Sequence, residues 1–281
     1  MDWLTRRRFL QLAAATVAGG AATVGYTWWV EPEWLEITRV RMPVKRLPTA
    51  LQGKTLVQLS DIHVGPNVSE EYVRESFRRV QALAPDIVVY TGDLTSSHRD
   101  LYTRAASAYA TMPRGALGTV GVLGNHDYGL NWGEPAVARA LGNIVGEAGM
   151  QVVTNDVAVV AGLQIVGLGD LWANQFDPRL GFSRCDPREP AIVLSHNPDS
   201  VDLTGWGSYD GWILSGHTHG GQCKPPFLPP PIIPVRNKRY TAGEFALDRG
   251  RRMYISRGVG TVLPVRFNVR PEVTVFELVA E

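Results

Sequence analysis

Cysteine is nearly absent from this chain. Cys185 and Cys223 are the only two, at a spacing that suits neither a zinc ribbon nor a disulfide framework. They either pair in an oxidising compartment or stay as free thiols. A surplus of one charge is missing as well: 28 Lys and Arg stand against 27 Asp and Glu, a formal net charge of +1. There is no basic stripe with interleaved aromatics, so nucleic acid has no electrostatic hold and is not expected as a partner. No internal repeat is visible. Histidine is scarce too, at six in 281 residues. What remains is ordinary: 44% apolar and 20% charged residues describe a folded globular protein able to bury a sizeable core. At this length it forms one large domain or two small ones.

The first long apolar run lies near the N-terminus. After a short basic head, "MDWLTRRRFLQLAAATVAGGAATVGYTWWV" carries no charge from Phe9 to Val30. The run reads as a targeting segment, set apart from the fold. Within it "TRRRFL" (Thr5 to Leu10) resembles the twin-arginine export signal, a route that carries folded proteins, often with a metal already bound. The alternative is an ordinary secretory signal or an anchor whose arginines stay in the cytoplasm. The uncharged stretch is about long enough to span a bilayer, so an uncleaved anchor is consistent with it. Trp28, Trp29 and Trp34 follow the apolar run, as interfacial aromatics do. The expected organisation is a signal or membrane anchor over residues 1–34 and a catalytic domain over 35–281.

Strand and helix signals then alternate. "TLVQLSDIH" ends a buried strand in polar residues, and "SEEYVRESFRRVQALA" places Val73, Phe77, Val80 and Leu83 at helical spacing behind Ser69. "PDIVVYTGD" is a second strand, a helix follows over about 100–112, and "LGTVGVLGNHD" is a third strand. "EPAVARALGNIVGEAG" is a helix with Pro135 in its first turn. The rest is strand-rich: "QVVTNDVAVV", "LQIVGLGD", "AIVLSHNP", "DGWILSGHTH", "RRMYISRGVG" and "EVTVFELVA". "KPPFLPPPIIP" lacks the backbone donors of a strand and reads as a surface loop. This order predicts an α/β (α+β) fold in which two packed sheets are flanked by helices.

The chemistry sits where these strands end. The first supplies Asp61 and His63, the second Asp93, and the third Asn125, His126 and Asp127. Later ends supply His196, His217 and His219. Loops at the carboxyl ends of strands are where α/β proteins place ligands. Five of the six histidines fall at these ends; the sixth, His98, reads as a surface residue. A lone histidine there is more often structural. Five of them with two aspartates and an asparagine would compete for few partners, at ~1–3 kcal/mol for each group left unsatisfied. A cation resolves that conflict. Imidazole and carboxylate suit manganese, zinc or iron, and six or seven N/O donors exceed the needs of one ion.

Asp61-x-His63, Gly92-Asp93, Gly124-Asn125-His126-Asp127, His196 and Gly216-His217-Thr218-His219 follow the order of the calcineurin-like metallophosphoesterase superfamily. From about Leu56 to the C-terminus the chain resembles that family. The resemblance implies a four-layer αββα sandwich of two mixed sheets, with two divalent metals at the strand C-terminal ends. Asp61, His63 and His219 would hold the first metal and Asn125, His196 and His217 the second, with Asp93 bridging. A hydroxide between the ions would be the nucleophile, and His126 would serve the leaving group as general acid or as a donor to a phosphoryl oxygen. Asp127 would either orient His126 or cap its own turn. Of the remaining residues, Asp170 reads as a turn cap and Arg257 as a phosphate contact or a salt bridge. Trp172 and Phe176 read as entrance or core.

"GGQ" after "GHTH", the twin-arginine head and the ending "SRGVGTVLPVRFNVRPEVTVFEL" are similar to one bacterial branch. That branch includes envelope phosphodiesterases and UDP-2,3-diacylglucosamine diphosphatases of lipid A synthesis. The implied activity is hydrolysis of a phosphodiester or pyrophosphate, lipid-linked or not. The implied location is the extracytoplasmic face of the cytoplasmic membrane, reached through the twin-arginine machinery, with a cytoplasm-facing membrane diphosphatase as the rival. A non-catalytic metal-binding scaffold is the reading from a different class.

Overall fold

The computed structural model describes residues 5–96 and 101–281; His98 lies outside the described residues. Helix α1, Arg6–Gly25, starts at Thr5, whose hydroxyl accepts from Arg8 N, and it buries no residue. Helical turns continue to Glu33. This 28-residue stretch contains an 18-residue window of mean hydropathy 1.2 and is long and apolar enough to cross a membrane by length and composition.

The body then runs β1 (Glu36–Val44), β2 (Thr55–Leu59), α2 (Glu70–Gln81), β3 (Ile87–Thr91), α3 (Leu101–Tyr109), β4 (Gly118–Val122), α4 (Pro135–Glu147), β5 (Gln151–Val152), β6 (Asp156–Val160), β7 (Leu163–Gly167), α5 (Pro178–Ser183), β8 (Ala191–Leu194), β9 (Trp212–Ser215), β10 (Gly243–Ala246), β11 (Arg252–Ile255) and β12 (Glu272–Ala280). One six-stranded sheet has the order β1-β12-β2-β3-β4-β5 and the other β10-β11-β9-β8-β7-β6. Both are mixed. β2 to β5 are parallel, with β12 antiparallel to β2. β7, β8, β9 and β11 are parallel, with antiparallel edges at β6 and β10.

Between the sheets lies a core of Leu56, Ile87, Val89, Val122, Ile165, Ile192, Leu194, Trp212, Leu214 and Phe276. Phe276 meets Tyr254 and Trp212 edge-on, at ring-centre distances of 5.2 and 6.3 Å. On the outer face of the first sheet, Val73, Phe77 and Val80 of α2 pack with Tyr109 of α3 and Leu141 and Val145 of α4. Ser69 caps α2 as expected, accepting from Tyr72 N. The two mixed sheets flanked by helices are therefore present. The second sheet's outer layer is thin, since α5 has six residues and loops carrying Val201, Trp206 and Tyr240 complete it.

Two details differ from the reading of the sequence. β1 gave no clear signal, because Arg39, Arg41 and Pro43 interrupt its apolar pattern; an edge strand tolerates all three. "QVVTNDVAVV" is two strands in different sheets, broken at Asn155. That residue takes a left-handed φ of 49°, and its side chain bonds Gly169 N, Asp177 N and Gln175 O. Residues ahead of position 35 also pack against the body. Thr27, Glu31 and Pro32 are buried. The Glu31 carboxylate accepts from Asn268 N (2.9 Å) and Val269 N (2.6 Å), and the Arg270 guanidinium lies 4.3 Å from the Trp34 ring centre. The body's packing thus begins at about residue 26.

Phe276→Ala should lower stability by about 3–5 kcal/mol, because it opens a cavity that neither sheet can collapse into. Urea unfolding followed by fluorescence would show it as a lower midpoint at unchanged slope.

Candidate metal centre

β2, β3 and β4 are parallel neighbours in one sheet, as β8 and β9 are in the other, so the loops that leave them meet. Gln58 of β2 pins the sheets together beneath that meeting point. Its amide donates to Thr91 Oγ1 on β3 and to the Ser215 carbonyl on β9, both at 2.9 Å. The loops also pair by backbone: Asp61 N donates to Gly92 O (2.9 Å), His63 N to Asp93 O (3.1 Å) and Gly216 N to His196 O (3.0 Å).

Two groups of ligand-type side chains result, all buried. Asp61, His63 and His219 form one and Asp93, His196 and His217 the other, the donor atoms within each lying no more than 4.8 Å apart. Between imidazoles, His63 Nε2 is 3.0 Å from His219 Nε2, and His196 Nε2 is 3.2 Å from His217 Nδ1. Asp93 Oδ2 lies between the groups, 3.1 Å from His196 Nε2 and 3.6 Å from His63 Nε2. Backbone carbonyls take the far nitrogens of two rings: His196 Nδ1 is 2.7 Å from Thr91 O and His217 Nε2 is 2.8 Å from Pro234 O. A carbonyl can only accept, so His196 Nδ1 and His217 Nε2 carry the N–H groups there, and His196 Nε2 and His217 Nδ1 face the centre.

The backbone is held out of its ordinary regions to achieve this. Asp61, His63, Asp93, His217 and His219 all have left-handed φ, between 50° and 71°. Each such residue costs about 1–2 kcal/mol, and a cluster of them marks a functional site. Glycines make room beside them. A side chain at Gly216 would collide with Ser60 Oγ and Asp61 Oδ2, and one at Gly92 would sit 2.7 Å from His196 Nδ1.

Burial lowers His63 to about 3 and, helped by His196, lowers His217 to about 3 as well; both rings stay neutral, the form that ligates metal. His219 is pushed well below its usual value by burial, His63 and Arg266. Burial also raises Asp61 to about 7, with Asp93 adding to the effect. Burial works against Asp93 too, yet His196, His126 and His63 together hold its carboxyl well below the usual range. His196 answers with a pKa held well above normal, because Asp93 and Asp61 outweigh its burial. The cluster therefore calls for positive charge. Asn125 adds a second sign: it is fully buried, with neither Oδ1 nor Nδ2 hydrogen-bonded. An orphaned amide beside neutral imidazoles and carboxylates fits two divalent cations.

His126 is partly exposed at the edge of this cluster. Its ring is 5.1 Å from that of His63, and its backbone N donates to Asp93 Oδ1 (2.9 Å). Asp127 accepts from Leu94 N, Thr95 N, Thr95 Oγ1 and Gly124 N. These four contacts, one of them to Gly124 at the start of its own turn, are those of a turn cap. Asp170 caps a turn as expected, accepting from Ala173 N (2.8 Å). Trp172 stands edge-on to His217 at 4.4 Å and stacks on Trp132 at 4.9 Å, forming an aromatic wall at the entrance. Phe176 is elsewhere, packed near Trp206. Arg257 is paired with Glu272 and Glu36, the salt-bridge alternative. Thr218 turns away to the Thr241 carbonyl, and Cys185 and Cys223 are both free thiols.

Trp132 and Arg266 were not anticipated. Arg266 is fully buried and bonds the carbonyls of Arg257, Gly258, Gly260 and Val269, with Nη2 3.5 Å from His219 Nδ1. Its signal was a lone charge in the apolar run "TVLPVRFNV".

A two-sheet sandwich with paired ligand groups at its strand ends is the build of a metal-dependent hydrolase. The chain belongs to the calcineurin-like phosphoesterase family, whose model matches residues 54–221. It is 34% identical to phosphodiesterase YaeI of Escherichia coli over 98% of this chain and all of that protein. It is 33% identical to the uncharacterized metallophosphoesterase YkuE of Bacillus subtilis, over 99% of both chains. With UDP-2,3-diacylglucosamine pyrophosphatase LpxG of Chlamydia trachomatis it shares 26% identity, over 96% of this chain and 97% of that one. The chain is a metal-dependent phosphoesterase.

Because cations would bind only the folded centre, removing them with a chelator should lower the unfolding temperature. A ligand at 100 times its Kd contributes about 2.7 kcal/mol. Adding back manganese or zinc should restore the loss in the native chain and not in Asp93→Asn; calorimetry with and without metal would decide.

Proposed function

We propose that this chain hydrolyses a phosphodiester or pyrophosphate with two divalent cations, manganese, zinc or iron, at the convergence of Asp61, His63, Asp93, Asn125, His196, His217 and His219. One observation carries the reading: two buried ligand groups face each other across Asp93, and the partly exposed His126 stands at their edge. Asp61, His63 and His219 would hold one cation, Asn125, His196 and His217 the other, with Asp93 between them. Bound, the pair supplies Lewis acidity toward the phosphoryl oxygens and toward an attacking water. His126 serves the leaving group: its ring reaches the open side, and Asp93 Oδ1 holds its backbone, so a ring nitrogen can give a proton to the departing oxygen. Asp127 acts on geometry alone, tying the loops after β3 and β4 together. Trp132 and Trp172 offer a flat apolar wall that favours a bulky ester.

On this reading residues 1–34 contain a twin-arginine signal that also anchors, and the domain faces outward from the cytoplasmic membrane. The similarity to LpxG supports a lipid-linked substrate and keeps a second reading open, a UDP-2,3-diacylglucosamine diphosphatase facing the cytoplasm. Topology separates the two.

The first test is hydrolysis of bis-p-nitrophenyl phosphate against p-nitrophenyl phosphate by metal-stripped protein, with manganese, zinc or iron added back. Metal-dependent turnover, faster on the diester, is expected; no turnover with two ions bound would favour the scaffold. His126→Ala should slow turnover by ~10²–10⁴-fold at normal metal content, whereas His217→Ala should lose metal and turnover together. Elemental analysis beside the rate assay distinguishes these results, and an unchanged rate in His126→Ala would remove its assigned role.

A further inference from the structure

Three segments next to the metal centre share an unusual surface. The loop 225–234 is "PPFLPPPIIP", six prolines and four large apolar residues. Phe227 is fully exposed (104%), with Ile232 at 77% and Leu228 at 59%. The loop through Thr261 exposes Val262 and Leu263, the latter at 62%, and the segment after α1 exposes Trp28, Trp29 and Val30. Soluble surfaces carry single apolar residues; many exposed ones on segments bonded to one another mark an interface.

Hydrogen bonds make these segments one body. Gln222 Nε2 donates to the carbonyls of Leu263 and Val265, and Lys224 N donates to Phe267 O. Asn268 and Val269 are held by the Glu31 carboxylate, and Arg266 N donates to Thr27 O. The same body borders the metal centre, since His217 Nε2 meets Pro234 O and Arg266 lies against His219. A groove lined by Pro66, Leu130, Trp132 and Val262 runs from His126 to this surface.

The chemistry selects among occupants. No Asp or Glu occurs between His219 and Glu244 or between Gly258 and Pro271, while Lys224, Arg236, Lys238 and Arg239 flank the apolar tip. Asp199 and Asp202 bond the 236–240 stretch from behind, and Glu33 follows the Trp28–Val30 segment, but the apolar loop itself carries only basic neighbours in sequence, which suits an anionic bilayer surface. Proline suits that occupant too: with no N–H it leaves fewer donors to strip of water on entering the headgroup region. Continuity argues the same way, because α1, which buries nothing, enters this body directly at Tyr26.

We propose that loop 225–234, Val262–Leu263 and Trp28–Val30 form a ledge that dips into the lipid bilayer, so the metal centre works on phosphoesters presented at a membrane surface. The proposal deepens the phosphoesterase reading and rests on α1 lying at a membrane. The ledge binds lipid by itself, without α1.

The test uses residues 26–281, which keep every buried side chain because α1 contributes none. They are sedimented with phosphatidylcholine vesicles and with equal-part phosphatidylcholine and phosphatidylglycerol vesicles. The domain should sediment with the mixed vesicles, and the variant Phe227→Ser, Leu228→Ser, Ile232→Ser, Leu263→Ser should bind them more than about tenfold more weakly. Bis-p-nitrophenyl phosphate hydrolysis should be equal in the two forms. Equal sedimentation of both forms would overturn the proposal. So would self-association of the native domain, lost in the variant, with no vesicle binding; the surface would then belong to a second copy. Loss of hydrolysis in both forms with binding intact would sink the phosphoesterase reading and leave the ledge standing.

Discussion

The carboxylate of Asp93 holds the centre together. It leaves the end of β3 in the first sheet and lies 3.1 Å from His196, which leaves β8 in the second. Its other oxygen anchors the backbone of His126. An anion buried this deeply is stable only among donors and cations. Every element around it serves that requirement: parallel strands that end together, Gln58 linking the sheets beneath, and glycines that bring backbones within reach.

That arrangement opposes local preference. Five ligand residues adopt left-handed backbone, and three rings are driven well below their normal pKa. The surrounding fold outweighs these costs with a large core on both faces of the first sheet. Asp127 illustrates the division of labour. With four donors on one carboxylate, it ties the loops after β3 and β4 together.

The membrane-proximal segment is part of the same construction. Glu31 lies a few residues after α1, and its carboxylate grips the loop whose Arg266 supports His219. Residues that composition assigns to a targeting segment are therefore mechanically tied to the domain. Trp28 and Trp29 sit where the helix meets that domain, with their rings exposed.

The residues that gather at the candidate metal centre were legible before any fold was known, because histidine is scarce and five of six copies stood at strand ends. The strands β2, β3, β4, β8 and β9 were legible for a related reason: buried parallel strands are continuous apolar runs. β1 was hidden, since an edge strand half open to water accepts Arg39, Arg41 and Pro43. The break at Asn155 was hidden because a single left-handed residue can send the chain to another sheet without changing its apolar content. Arg266, Trp132 and Glu31 acquire meaning only through partners more than 40 positions away or through neighbours brought in by turns. Residue type and local period are properties of the sequence itself, so it determined which groups could bind metal and which segments could form strands. Which groups face one another depends on how two sheets register across a shared core, and only the tertiary structure decided that.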